Sequence, residues 1–103
     1  MKLLRKMYIH VELMREEAEG WIPLAKIFNG IKEMYIRLFG FSSYAMSMAK
    51  AREMGGNDYL FEVEASRLKE MICALTLVDR VDDRKVSLLV RGVGRTAKGA
   101  TGR

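Results

Sequence analysis

Cysteine, histidine, proline and glutamine are scarce or missing in this sequence, and each shortage closes off an explanation. The single cysteine, Cys73, has no partner for a disulfide or a zinc-ligand pair within the chain. That suits a reducing compartment, and the cytoplasm is the expected location. Cys73 lies among Met71, Ile72, Ala74 and Leu75, so a buried, unreactive core thiol is predicted. The single histidine, His10, allows no histidine dyad and no histidine-cysteine metal site, which leaves it a structural role. No apolar stretch approaches the roughly 20 residues that a bilayer-spanning helix needs. The longest runs, such as Met71 to Val78, fall well short, and the basic amino end lacks the apolar run and cleavage site of a signal peptide. The absence of glutamine, with only Asn29 and Asn57 for asparagine, leans towards a thermophilic source, although eight methionines pull the other way.

Acidic residues are missing altogether from the last stretch. Residues 1–83 contain 12 Lys/Arg and 13 Asp/Glu, whereas residues 84–103 contain six basic residues and none of opposite sign. The whole net charge of +5 therefore arises at one end. Arg84, Lys85, Arg91, Arg95, Lys98 and Arg103 are interleaved with Gly92, Gly94, Gly99 and Gly102. Cations and bare backbone amides can thus approach a phosphate chain together, and the segment is predicted to bind RNA. The length allows one hydrophobic core, so the organisation expected is a domain over residues 1–91 and a basic, glycine-rich segment over residues 92–103.

The hydrophobic periods predict six main elements. Met7, Ile9, Val11 and Leu13 alternate with polar neighbours, giving a strand over Arg5 to Met14. An acidic loop over Arg15 to Gly20 leads to Pro23, which suits the first turn of a helix. Leu24, Ile27, Phe28, Ile31, Tyr35 and Leu38 recur at helical spacing as far as the stop at Gly40. Alternation over Phe41–Arg52 and Tyr59–Glu64, around Gly55-Gly56, predicts a hairpin. Leu68, Met71, Ile72, Leu75 and Val78 mark a second helix with Ser66 as its cap, ended by a turn over Asp79–Asp83. Val86, Leu88 and Val90 begin a last strand that the glycines interrupt. The order β-α-β-β-α-β predicts an α+β fold: a split βαβ, ferredoxin-like sandwich with a four-stranded antiparallel sheet and two helices on one face.

Such a fold hosts unrelated activities, so function has to be read from residues. Tyr8 and His10 are expected on the solvent face of the first strand, with Leu60, Glu62 and Glu64 beside them on the third. Two carboxylates there repel a phosphate backbone crossing the sheet, which favours a protein partner on Tyr8, His10 and Leu60. Glu16, Glu17 and Glu19, and Asp79, Asp82 and Asp83, have no spacing that specifies a metal-dependent nuclease, so neither a catalytic residue nor a metal ligand is assigned.

The carboxy-terminal half also resembles a particular family. Tyr59-Leu60-Phe61-Glu62-Val63, then Met71-Ile72-Cys73-Ala74-Leu75-Thr76-Leu77-Val78, then Lys85 to Lys98 are similar to ribonuclease P protein component 2 of archaea and eukaryotes, the Pop-five family. The basic, aromatic opening Arg5-Lys6-Met7-Tyr8-Ile9-His10-Val11-Glu12 looks like that family's first strand. The final motif here reads Gly92-Val93-Gly94-Arg95-Thr96-Ala97-Lys98. Gly94 stands where the family usually has serine, Arg95 where it has a second glycine, and Ala97 where it has a larger aliphatic residue.

The resemblance implies a non-catalytic protein subunit of a ribonucleoprotein that removes the 5′ leader from precursor transfer RNA. It implies that the RNA is the catalyst and carries the magnesium, with no cofactor on the chain itself. It implies ribonuclease P RNA, precursor transfer RNA and ribonuclease P protein component 3 as partners, with Thr96 joining the basic residues at the RNA. A structural protein of another RNA assembly, such as the ribosome, and a ferredoxin-like ligand-sensing domain are the alternative readings.

Overall fold

The computed structural model describes residues 5–15 and 22–102. Its elements are β1 (Lys6–Arg15), α1 (Leu24–Phe39), α2 (Phe41–Ser47), β2 (Lys50–Gly55), β3 (Asp58–Glu64), a 3-10 turn (Ala65–Arg67), α3 (Leu68–Leu77), β4 (Arg80–Val81), β5 (Arg84–Gly94) and α4 (Ala97–Thr101). The sheet is antiparallel throughout in the order β2-β3-β1-β5-β4. It therefore has five strands rather than the expected four. The extra one is the two-residue β4, which lies in the segment predicted as a plain turn. Asp82 and Asp83 both have positive φ, 54° and 61°, the geometry that returns a two-residue hairpin into β5 with the natural strand twist. Apart from Arg15, which ends β1, the predicted acidic loop lies outside the described residues.

The core lies between one sheet face and the helices α1 and α3. Ile9, Val11 and Leu13 of β1, Tyr59, Phe61 and Val63 of β3, and Val86 and Leu88 of β5 are buried there. Facing them are Ile27, Ile31 and Tyr35 of α1, and Met71, Ala74 and Leu75 of α3. Each strand contributes alternate residues and each helix contributes i, i+4 neighbours, so the periods of the sequence are realised as burial. Two residues expected in this core lie nearer the surface: Leu38 is exposed and Cys73 half-buried.

Phe41–Ser47, expected as part of a strand, is helical. Gly40, at φ 92°, breaks the chain out of α1, and the next seven residues turn back so that Tyr44 meets Tyr35 edge-on at 5.7 Å. Lys32 lies 5.6 Å from the Tyr44 ring centre, and Ser47 donates its hydroxyl to the Tyr44 carbonyl at 2.5 Å. A short alternation of small and large residues fits both periods, and packing on Tyr35 selects the helix. Met48, left-handed at φ 51°, ends it.

Two further expectations are corrected at helix ends. Ser66 is not the cap of α3: it sits inside the 3-10 turn, and the Glu64 carboxylate accepts from its backbone N–H at 2.9 Å and from its hydroxyl. The glycines do not interrupt the last strand. Ladder pairing continues through Gly92 and Gly94, and the chain then forms α4 instead of a loose basic segment.

Candidate nucleic-acid interface

The second face of the sheet is organised by one irregularity in β5. Val11 pairs with Val90, but His10 pairs with Gly92, so Arg91 is the extra residue of a β-bulge. Val86, Leu88 and Val90 face the core. Beyond the bulge the even-numbered positions change sides, which puts Gly92 beside His10 and Gly94 beside Tyr8 on the outer face.

There they receive α4. A Cβ on Gly92 would come within 2.2 Å of the Ala100 carbonyl oxygen, and one on Gly94 within 2.7 Å of the Ala100 nitrogen. These glycines permit helix backbone to lie on strand backbone, a different use from the phosphate approach predicted for them. Thr96 caps α4, its hydroxyl accepting from the Gly99 N–H at 2.9 Å. Ala100 is buried against the sheet.

The covering helix changes the fate of the face assigned to a protein partner. Leu60 points outward as expected, yet it is only 3% exposed. His10 is half-buried and bonds through Nε2 to the Asp58 carboxylate at 2.9 Å, a structural tie between β1 and β3. Tyr8 is half-buried and keeps one open side. The outer face stays accessible on the β2–β3 side of α4 and at the far end of β1 and β5, where Met14, Ser87 and Leu89 are exposed.

The predicted RNA-binding residues are dispersed by the strand. Arg84 and Lys85 begin β5 and Arg95 follows its end, so at about 3.3 Å per residue the two groups stand up to roughly 36 Å apart. Between them Arg91 is engaged by Glu12, with Nε 2.7 Å from a carboxylate oxygen. Thr96 is occupied as a cap, Lys98 is exposed on α4, and Arg103 lies outside the described residues.

In place of a contiguous basic tail, the fold gathers cations from distant parts of the chain. Arg95 shares a concavity of about 370 Å³ with Arg5, Lys6, Met7 and Ala65. The backbone carbonyl of Arg5 is held there by the Ala65 N–H at 2.7 Å. Across the same end of the outer face the register runs Lys50, Glu62, Tyr8, Gly94, and the next row runs Arg52, Leu60, His10, Gly92. Lys50 and Arg52 are exposed on the edge strand. Neither they nor Arg5 and Lys6 are among the residues assigned to RNA from the sequence, because the signal that unites them is cross-strand register.

The carboxylates predicted to repel RNA are both engaged. Burial pushes the Glu62 carboxyl up, but hydrogen bonds from Lys6 and Tyr8 and the charges of Lys6 and Lys50 outweigh this and hold it below the usual range. Its ion pair with Lys6 measures 3.2 Å. Glu64 is drawn into the 3-10 turn. Among the described residues, no group of three or more His, Cys, Asp or Glu side chains converges on a point, and no helix is long and apolar enough to cross a membrane.

No protein-family profile matches the chain, and no curated protein matches its sequence. Solved structures do. A chain in the cryo-EM structure of yeast ribonuclease MRP matches with a TM-score of 0.75, over 93% of this chain and 78% of that one. At 6% identity, the likeness is one of fold.

Proposed function

We propose that this protein is a non-catalytic subunit of an RNA-processing ribonucleoprotein of the ribonuclease P type, where it supports a catalytic RNA in removing the 5′ leader from precursor transfer RNA. The observation that carries the reading is the convergence of Arg5, Lys6 and Arg95 on one concavity, with Lys50 and Arg52 on the same outer face. Cations from three separate strands or strand ends are suited to gripping a folded phosphate backbone without reading its bases. The motif resemblance to ribonuclease P component 2 and the fold shared with a chain of ribonuclease MRP support the same reading.

In this reading the RNA supplies the magnesium and the chemistry, and the chain works in the cytoplasm beside ribonuclease P protein component 3. Exposed Phe41, Met46 and Met48 around α2 offer that partner an apolar surface in place of the covered Leu60. Affinity purification of the protein from its native cell, with sequencing of bound RNA and identification of bound proteins, tests the proposal. Enrichment of ribonuclease P RNA and component 3 is expected. Enrichment of ribosomal RNA, or of no RNA, overturns it.

A further inference from the structure

Beside α4 the outer face holds a cleft of about 320 Å³, lined by Tyr8, Lys50, Ala51, Arg52, Leu60, Glu62 and Ala97. Its volume is at the lower end for ligand clefts. Leu60 and Ala97 give it an apolar lining, and Tyr8 contributes a half-buried ring. Lys50 and Arg52 stand on the rim, both exposed and on the outermost strand. Glu62 is already met by Lys6, Lys50 and the Tyr8 hydroxyl, so the cleft carries more positive than negative charge.

A ligand matching these features has a flat, weakly polar part to lie against Tyr8 and Leu60, and an anionic part within reach of Lys50 and Arg52. We propose that the cleft takes one unstacked nucleotide of an RNA strand, its base against Tyr8 and its phosphate between Lys50 and Arg52. The proposal rests on the reading of the chain as an RNA-binding subunit and adds a base-sensing position to a surface otherwise read as a phosphate grip. A strand of RNA is favoured over a free nucleotide because the cations do not stop at the cleft. Lys6 lies within reach of Glu62, and Arg5 and Arg95 continue the charge beyond the cleft mouth, as a polyanion requires. α4 bounds one side of the cleft through Ala97, and the volume leaves room for about a single base where an open sheet accommodates several.

The test compares oligouridylate with its abasic counterpart, which keeps the sugars and phosphates but has no bases, by fluorescence anisotropy at low salt. The wild-type protein should bind the base-bearing strand about ten-fold more tightly, the scale of one base-aromatic stack. Tyr8→Leu should abolish that preference. So should Ala97→Leu, which fills the cleft from α4 and leaves the sheet residues intact should the first variant fold poorly. Arg52→Ala should weaken both strands alike. Equal wild-type binding of the two strands, or a preference that survives Ala97→Leu, overturns the proposal. Displacement of the strand by uridine monophosphate at equal concentration would assign the cleft to a free nucleotide and overturn it as well. If neither strand binds but the copurified structured RNA does, the cleft proposal falls and the functional reading stands; if no RNA binds, both fall.

Discussion

Tyr35 and Glu62 respond to pH in opposite directions. The Tyr35 phenol is buried and donates to the Glu70 carboxylate at 2.6 Å, and burial followed by that hydrogen bond pushes it well above the ordinary value of 10.0. A group raised in the folded state contributes stability that is present below its unfolded value and lost as pH rises above it. Tyr35→Phe should therefore cost about 1.5–3 kcal/mol at neutral pH, the range for a hydrogen bond to a charged group. Its deficit relative to the wild type should shrink above about pH 10, as thermal melts across an alkaline series would show. Glu62 is lowered, so its contribution is present above the ordinary carboxyl value of 4.5 and is lost as pH falls below it. Melts of Glu62→Gln and the wild type should converge on acidification. Both residues were visible in the sequence as types, but their partners lie 35 positions away for Tyr35 and, in Lys6, on another strand for Glu62.

At the scale of elements, the bulge at Arg91 and the helix α4 depend on each other. Without the extra residue, Gly92 and Gly94 would face the core and the helix would have no bed. Gly94→Ala should push α4 off the sheet at a cost of about 1–3 kcal/mol, as overpacking does, while β1, β3 and β5 survive. Hydrogen exchange would detect it as faster exchange confined to α4 and the residues it covers. Thr96→Ala, which removes the cap, should loosen the same helix by about 1 kcal/mol. If exchange across α4 were unchanged in Gly94→Ala, the close approach would not be what holds it.

For the whole molecule, the fold redistributes charge. Arg5 and Arg95 line one concavity and Lys98 is exposed on α4, whereas Arg91 is matched by Glu12. Replacing Arg5, Arg95 and Lys98 together by alanine should reduce the slope of log affinity against log salt by about 2, at roughly 0.7 per lost phosphate contact. Arg91→Ala alone should change that slope far less. Affinity measured across a salt series for the copurified RNA would check both, and an unaltered slope in the triple variant would move the RNA surface elsewhere.

Local pattern was sufficient for β1, α1, the Gly55-Gly56 hairpin, α3 and the beginning of β5, because alternation and helical spacing determine which side chains can share one buried face. The excess of positive charge after Asp83 was equally plain, since charge is a property of composition. Only tertiary structure decided that Phe41–Ser47 is a helix, because a seven-residue segment fits two periods and Tyr35 supplies the packing that separates them. Only it decided that Gly92 and Gly94 form the bed of a helix, because a one-residue bulge reverses the facing of everything after it. Leu60 became buried and Arg5 came to stand with Arg95 for the same reason: register across an antiparallel sheet joins residues from opposite ends of the chain, and no local spacing records which will meet.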